Sequence, residues 1–291
     1  VSGIRAIDAV APPPADALFE DSRRLTGPGL YFAGTGAALE TRTGSPVPAV
    51  VIDGWRRRVH LACHTLGWPD PGVDLVARVH ASGVSLAFPA PVDQLYAATE
   101  VNEWAWLASL AEAGTPAFAG FHAPGHPAAH DECRALCTLS ALAADERRPQ
   151  LLALIRAAQA HGLPLLIDED ALSIGQGVGG RSWPTDALPD PEDIHWPALH
   201  TVPVALVTGS NGKTTTVRLV AAIAAAHGWC TAHSCTDGLY VDGAMLEGGD
   251  YSGPSGARTL LRRPEVEAAV LETARGGLLR RGLAVHHAQA A

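Results

Sequence analysis

The sequence predicts an α/β protein in three stretches: an N-terminal α+β domain over residues 1–168, a linker over 169–199, and a domain over 200–291 with a mostly parallel sheet. Three observations carry this. The run Val204-Ala205-Leu206-Val207 is short, apolar and β-prone, and the glycine loop Thr208-Gly209-Ser210-Asn211-Gly212 follows it directly. From Val217 to His227 apolar residues recur at helical spacing, so strand, loop and helix succeed one another. Before that strand, a Pro/Asp-rich stretch from Asp186 to Pro197 marks a linker.

In chain order, residues 1 to about 45 hold the run Pro12-Pro13-Pro14 and the turn Thr26-Gly27-Pro28-Gly29, which read as loop with short strands. Arg23 and Arg24 suit an acidic ligand, against the plainer and commoner case of exposed arginines at a loop. A helix over Trp55 to Leu66 precedes a strand pair over Val76 to Pro89 that turns at Ser82-Gly83. The next helix starts at Leu95 and runs through Glu112; on it Asn102, with Glu100 and Glu103, forms a candidate cluster for an amino group, against the plainer reading of a helix cap and a solvated face. His130, Cys133 and Cys137 share helical spacing, but Pro124 and Pro127 break the segment before them, and cysteines in an alanine-rich helix more often pack than bind zinc. Helices over Ala128 to Ala144 and Arg147 to His161 lead to a strand at Pro164 to Ile167 and a turn at Asp168-Glu169-Asp170. The run Gly175-Gln176-Gly177-Val178-Gly179-Gly180 is no dinucleotide fingerprint, because Pro184 arrives where the helix should begin.

The glycine loop carries the chemistry. Backbone N–H groups of such a turn and of the first helical residues converge on one point, where the helix dipole also favours an anion. Gly209 and Gly212 let the backbone approach phosphate oxygens, Lys213 supplies a point charge, and Thr214 a hydroxyl for Mg2+. Lys213 is the only lysine among 291 residues, and Asn211 is one of two asparagines. A chain that otherwise uses arginine keeps lysine where a slim ammonium must insert between phosphate groups. The expected nucleotide contacts are Gly209, Ser210, Asn211, Gly212, Lys213, Thr214 and Thr215, with ATP and Mg2+ as ligands.

Downstream, a strand over Cys230 to Cys235 precedes a hairpin over Leu239 to Glu247 that turns at Asp242-Gly243. A short helix over Ser255 to Arg263 stops at Pro264, and Ala268-Ala269-Val270-Leu271 is a buried strand ending at Glu272. Ligands of parallel sheets bind beyond the carboxyl ends of the strands, which places Lys213 and Glu272 together. Glu272 is then a second metal ligand beside Thr214; a helix N-cap or a salt bridge to Arg275 is the plainer alternative.

The shortened loop Thr208-Gly209-Ser210-Asn211-Gly212-Lys213-Thr214-Thr215 resembles that of the Mur ligase superfamily. With Thr236-Asp237-Gly238-Leu239-Tyr240-Val241, Gly249-Asp250-Tyr251-Ser252-Gly253-Pro254 and the segment from Leu271 to Leu283, residues 200–291 resemble the Mur-ligase half of cyanophycin synthetases. Short stretches at Phe19 to Pro28, Leu95 to Trp106 and Ala171 to Gly177 resemble their N-terminal part. The resemblance implies an ATP-dependent ligase that joins a carboxylate to an amine through an acyl phosphate, acting on an amino acid or peptide. It implies catalytic roles for Lys213 and Glu272, and Mg2+ on Thr214 and Glu272. From the residues themselves, Asp250, Ser252 and Ser255 are expected to contact the acceptor substrate, and Arg275, Arg280 and Arg281 to hold a carboxylate or phosphate by bidentate bonds. The resemblance further implies that the central ATP-binding domain is incomplete, that the ATP-grasp module expected after Gly177 is missing, and that the chain is a fragment or a truncated gene product. A nucleotide-binding module without chemistry of its own and a phosphotransferase are the other readings.

Composition sets the outer bounds. A net charge of −9 speaks against a nucleic-acid or membrane surface, and no apolar run reaches the roughly 18 residues that span a bilayer. The expectation is a cytoplasmic protein with no nucleic-acid or membrane partner; a homo-oligomer is left open. Five cysteines without C-x-x-C spacing favour neither a disulfide framework nor a zinc ribbon.

Overall fold

A computed structural model describes residues 19–43, 47–114, 120–168 and 170–291, without the side chains of Leu279 and Arg280. The chain divides into two compact units. One holds the described residues up to Arg24 and Gly36–Glu146; the other holds Leu25–Thr35 and Arg147–Ala291.

The first unit sets a four-stranded sheet against helices. Strands β1 (Asp21–Leu25), β2 (Gly36–Glu40), β3 (Val76–His80) and β4 (Gly83–Pro89) lie in the order β1-β2-β4-β3. The β3–β4 connection is Ala81-Ser82, one residue earlier than the sequence suggests. Gly83 opens β4 by pairing with His80, and it is glycine where the Thr41 backbone occupies the space a Cβ would need. Helix α1 (Ala49–Leu66) buries Val51, Ile52, Trp55, Val59, Ala62, Cys63 and Leu66, a stripe at three- and four-residue intervals, and ends on the left-handed Gly67. Helix α2 (Leu95–Glu112) is the centre of this unit, with Val101, Trp104, Ala105 and Trp106 all buried. Its Asn102 is wholly buried: the side-chain oxygen accepts from Trp55 Nε1 at 2.8 Å and the amide faces Leu86 O at 3.4 Å. The expectation that Asn102 joins Glu100 and Glu103 in binding an amino group is therefore corrected. It satisfies a buried indole N–H, the kind of pairing a core demands. Helix α3 (Glu132–Glu146) leaves Cys133 and Cys137 exposed, and no group of three metal-binding side chains occurs among the described residues.

The second unit starts with α4 (Pro149–Ala160), whose Leu151 and Leu154 pack on an antiparallel sheet of β5 (Leu165–Ile167), β6 (Ala171–Ile174) and β7 (Arg181–Pro184). Gly177, at φ 53°, lies against Val266, whose carbonyl accepts from Val178 N at 2.8 Å; a Cβ at 177 would collide with that carbonyl. The glycine run thus serves close backbone packing.

Next come β8 (Val204–Val207), α5 (Lys213–Ala226), β9 (Thr231–Cys235), β10 (Gly238–Val241), β11 (Ala244–Gly248), α6 (Pro254–Leu261), β12 (Ala268–Glu272) and α7 (Arg275–Arg281). The five strands lie in the order β11-β10-β9-β12-β8. The sheet is mixed: β8, β12 and β9 are parallel, whereas β9, β10 and β11 form an antiparallel meander. The mostly parallel expectation undercounts the meander, because tight turns at Thr236-Asp237 and Asp242-Gly243 leave room only for antiparallel neighbours. At the second turn Asp242 and Gly243 both take positive φ, 47° and 75°, as a primed hairpin turn needs. Helix α5 covers one face through Val217 and Ala221 with Val270 and Cys235; α6 covers the other through Ala257, Leu260 and Leu261. Two arginines, Arg258 on α6 and Arg262 just after its end, fasten the small sheet within this unit. Arg258 and Arg262 both pair with Asp168, and Arg262 also donates to Ser173 Oγ and to the carbonyls of Leu166 and Ala171. No helix of the described residues is long and apolar enough to cross a membrane.

Candidate nucleotide and metal site

Three parallel strands deliver three groups to one edge. Val207 ends β8 and opens into the loop, Glu272 ends β12 directly opposite Val207, and Cys235 ends β9 just before Thr236. Thr273 N donates to Val207 O at 2.8 Å, which locks the two strand ends together.

The loop itself is solvent-facing from Thr208 to Gly212, with Gly209 at φ 138° and Gly212 at φ 77°. Gly212 takes the N-cap position of α5, where no side chain caps the helix, so the first amides are left to an external acceptor. Ser210, Asn211 and Thr215 are exposed around this helix start.

Glu272 is the chemical centre. Its side chain is 1% exposed, yet only one carboxylate oxygen is hydrogen bonded: Thr214 Oγ1 donates to Oε2 at 2.9 Å. Oε1 is buried without a hydrogen-bond partner, and Lys213 Nζ stands 4.0 Å from it, within ion-pair range but too far for a hydrogen bond. A buried, half-satisfied anion beside one cation and one hydroxyl suits a hard divalent cation, which prefers oxygen ligands and keeps part of its water. Neither plainer reading of Glu272 describes this geometry, since it ends a strand and its partners are Thr214 and Lys213.

Of the proposed substrate contacts, Ser252 is the one beside this centre. It lines a small cleft with Glu272 and Thr273, and its carbonyl accepts from Ala274 N at 2.9 Å. Asp250 turns inward on its own loop, with Oδ1 accepting from Ser252 N at 3.0 Å and Ser252 Oγ at 2.7 Å. Arg275 is exposed at the start of α7, and the Arg280 side chain lies outside the described residues. Ser255 sits in the first turn of α6, and the Arg281 carbonyl accepts from Thr26 N at 3.3 Å.

No family model matches the chain. Among curated proteins it is 50% identical over 94 residues to a cyanophycin synthetase of Geminocystis herdmanii, a stretch covering 32% of this chain and 11% of that protein. A cyanophycin synthetase of Synechocystis sp. is 52% identical over 83 residues, 28% of this chain and 10% of the relative. One from Trichormus variabilis is 51% identical over 82 residues, 28% and 9% respectively. About a third of this chain is cyanophycin-synthetase-like. The match spans about a tenth of the length of these relatives.

One neighbour of the centre does not follow from sequence reasoning. Thr236 Oγ1 lies 3.1 Å from Thr214 Oγ1. Thr236 opens the Thr236-Asp237-Gly238 segment, but nothing along the chain ties it to a threonine 22 residues earlier.

Proposed function

We propose that this chain binds ATP with Mg2+ at the loop of residues 208–215 and belongs to an ATP-dependent carboxylate–amine ligase acting on an amino acid or peptide. The observation that carries the reading is the orphaned oxygen of Glu272, held beside Thr214 Oγ1 and the sole lysine at the strand ends. Relatives named as cyanophycin synthetases support it at about half identity over a third of the chain.

In this reading the loop amides and the open start of α5 cradle the phosphates, Lys213 balances charge on the transferred phosphoryl group, and Thr214 and Glu272 hold the metal. Mg2+, when bound, neutralises phosphate charge and orients the terminal phosphate. A substrate carboxylate oxygen attacks the γ-phosphorus and ADP leaves; the acyl phosphate then meets an amine, which forms the amide as phosphate departs and a proton is lost. Ser252 lies where an acceptor could be oriented. Asp250 acts by holding the Ser252 loop rather than by direct contact.

A second reading is a nucleotide-binding module without chemistry of its own; the match spans about a tenth of the relatives' length, so their activity does not carry over by similarity alone. Phosphate release measured with ATP and Mg2+, with and without amino acid carboxylates and amines, separates the two. Release that requires both co-substrates supports the ligase. Tight binding without release under any mixture supports the module, and absence of Mg2+-dependent ATP binding refutes both.

A further inference from the structure

We infer that Thr236 is a positioning residue for the loop threonine and its metal, and that the Thr236-Asp237 turn is fastened to α5 for that purpose; this rests on the nucleotide reading above. The proton inventory assigns the direction. Thr214 has one hydroxyl proton, and it is committed to Glu272 Oε2, since a carboxylate only accepts. The 3.1 Å contact between Thr214 Oγ1 and Thr236 Oγ1 must then be donated by Thr236. Thr236, Thr214 and Glu272 thus form a one-way relay of hydroxyl bonds. With one proton given and one lone pair occupied, the Thr214 hydroxyl cannot spin, and its remaining lone pair has one direction left.

The turn that carries Thr236 is held at a second point one helical turn further along. Arg218, four residues after Thr214 and so on the same face of α5, pairs with Asp237 at 2.6 Å. Register does the rest. β9 lies parallel to β12 with Ser234 opposite Leu271, so residue 236 emerges just past the strand end that carries Glu272. Gly238 then lets the returning hairpin close, because its Cβ position lies against Glu247 O. The three residues of the Thr236-Asp237-Gly238 segment therefore contribute in turn a hydroxyl donor, an anchor to α5 and a close backbone approach.

The test uses the purified chain and a fluorescent ATP analogue, titrated with Mg2+ at fixed nucleotide. Thr236 is exposed in a turn, so Thr236→Val should fold, and its melting midpoint checks this. Loss of one neutral hydrogen bond to a ligand group should raise the Mg2+ concentration at half-saturation about threefold to tenfold. Binding of the nucleotide without metal should stay unchanged, and Thr236→Ser should restore the wild-type midpoint. A wild-type Mg2+ midpoint in Thr236→Val, or equal loss of metal-free binding, overturns the positioning role while the nucleotide reading stands. Wild-type protein with no Mg2+-dependent binding overturns both.

Discussion

Glu272→Gln should make the ligand-free protein more stable while removing its response to Mg2+ and ATP. The carboxylate is 1% exposed and leaves Oε1 without a hydrogen bond. A buried polar atom left unpaired costs about 1–3 kcal/mol, more for a charged group than for an amide. Against this stands the attraction of Lys213 at 4.0 Å. At 4.0 Å the ammonium makes no hydrogen bond to the carboxylate, and between two groups largely shielded from water the attraction is mostly offset by their desolvation, leaving a net contribution of about 1 kcal/mol. The Thr214 bond survives, because the amide oxygen still accepts. The net expectation is a gain of about 1 kcal/mol, roughly 2–4 °C in the melting midpoint for a unit of this size. Wild type with ligand at a hundred times its Kd gains about 2.7 kcal/mol, and the variant should lose most of that gain. Calorimetry with and without Mg2+ and ATP reads both effects. A variant less stable than wild type without ligand, or one that keeps the full ligand-induced shift, would refute the assignment of Oε1 to a cation.

Three further outcomes test the packing within each unit. Asn102→Ala strips the partner from a buried indole N–H and opens a cavity, so urea unfolding should show a loss of about 2–4 kcal/mol in the first unit. Burial, followed by the neighbouring Glu103, pushes the Glu100 carboxyl up to about 7 from 4.5. Between those values the folded chain holds a proton that the unfolded chain has released, so stability falls as pH rises from 4.5 to 7 and levels off above. Glu100→Gln should flatten that fall, giving higher urea midpoints than wild type at about pH 8 and similar ones near pH 4; unchanged profiles would show that Glu100 is solvated. Gly177→Ala combines a positive φ with a collision at Val266 O and should cost at least about 2 kcal/mol by the same unfolding measurement.

Short-range chemistry is what can be read along the chain. β8, the glycine loop and α5 are legible because strand, turn and helix signals succeed one another within about 25 residues. The Asp242-Gly243 hairpin is legible because its turn residues name its type. Lys213 and Thr214 follow from the loop alone, and Glu272 from the rule that strand ends meet at one edge. Everything that depends on pairing across long separations came from the tertiary structure. Whether Asn102 is a ligand or a core residue turned on Trp55, 47 positions away, and no local pattern distinguishes a buried amide from a binding one. The mixed character of the sheet followed from which strands became neighbours. Thr236 reached Thr214 only because β9 lies beside β12 with one register. Side-chain chemistry is written residue by residue, but a proton's direction and an oxygen's lack of a partner exist only once distant atoms share a place.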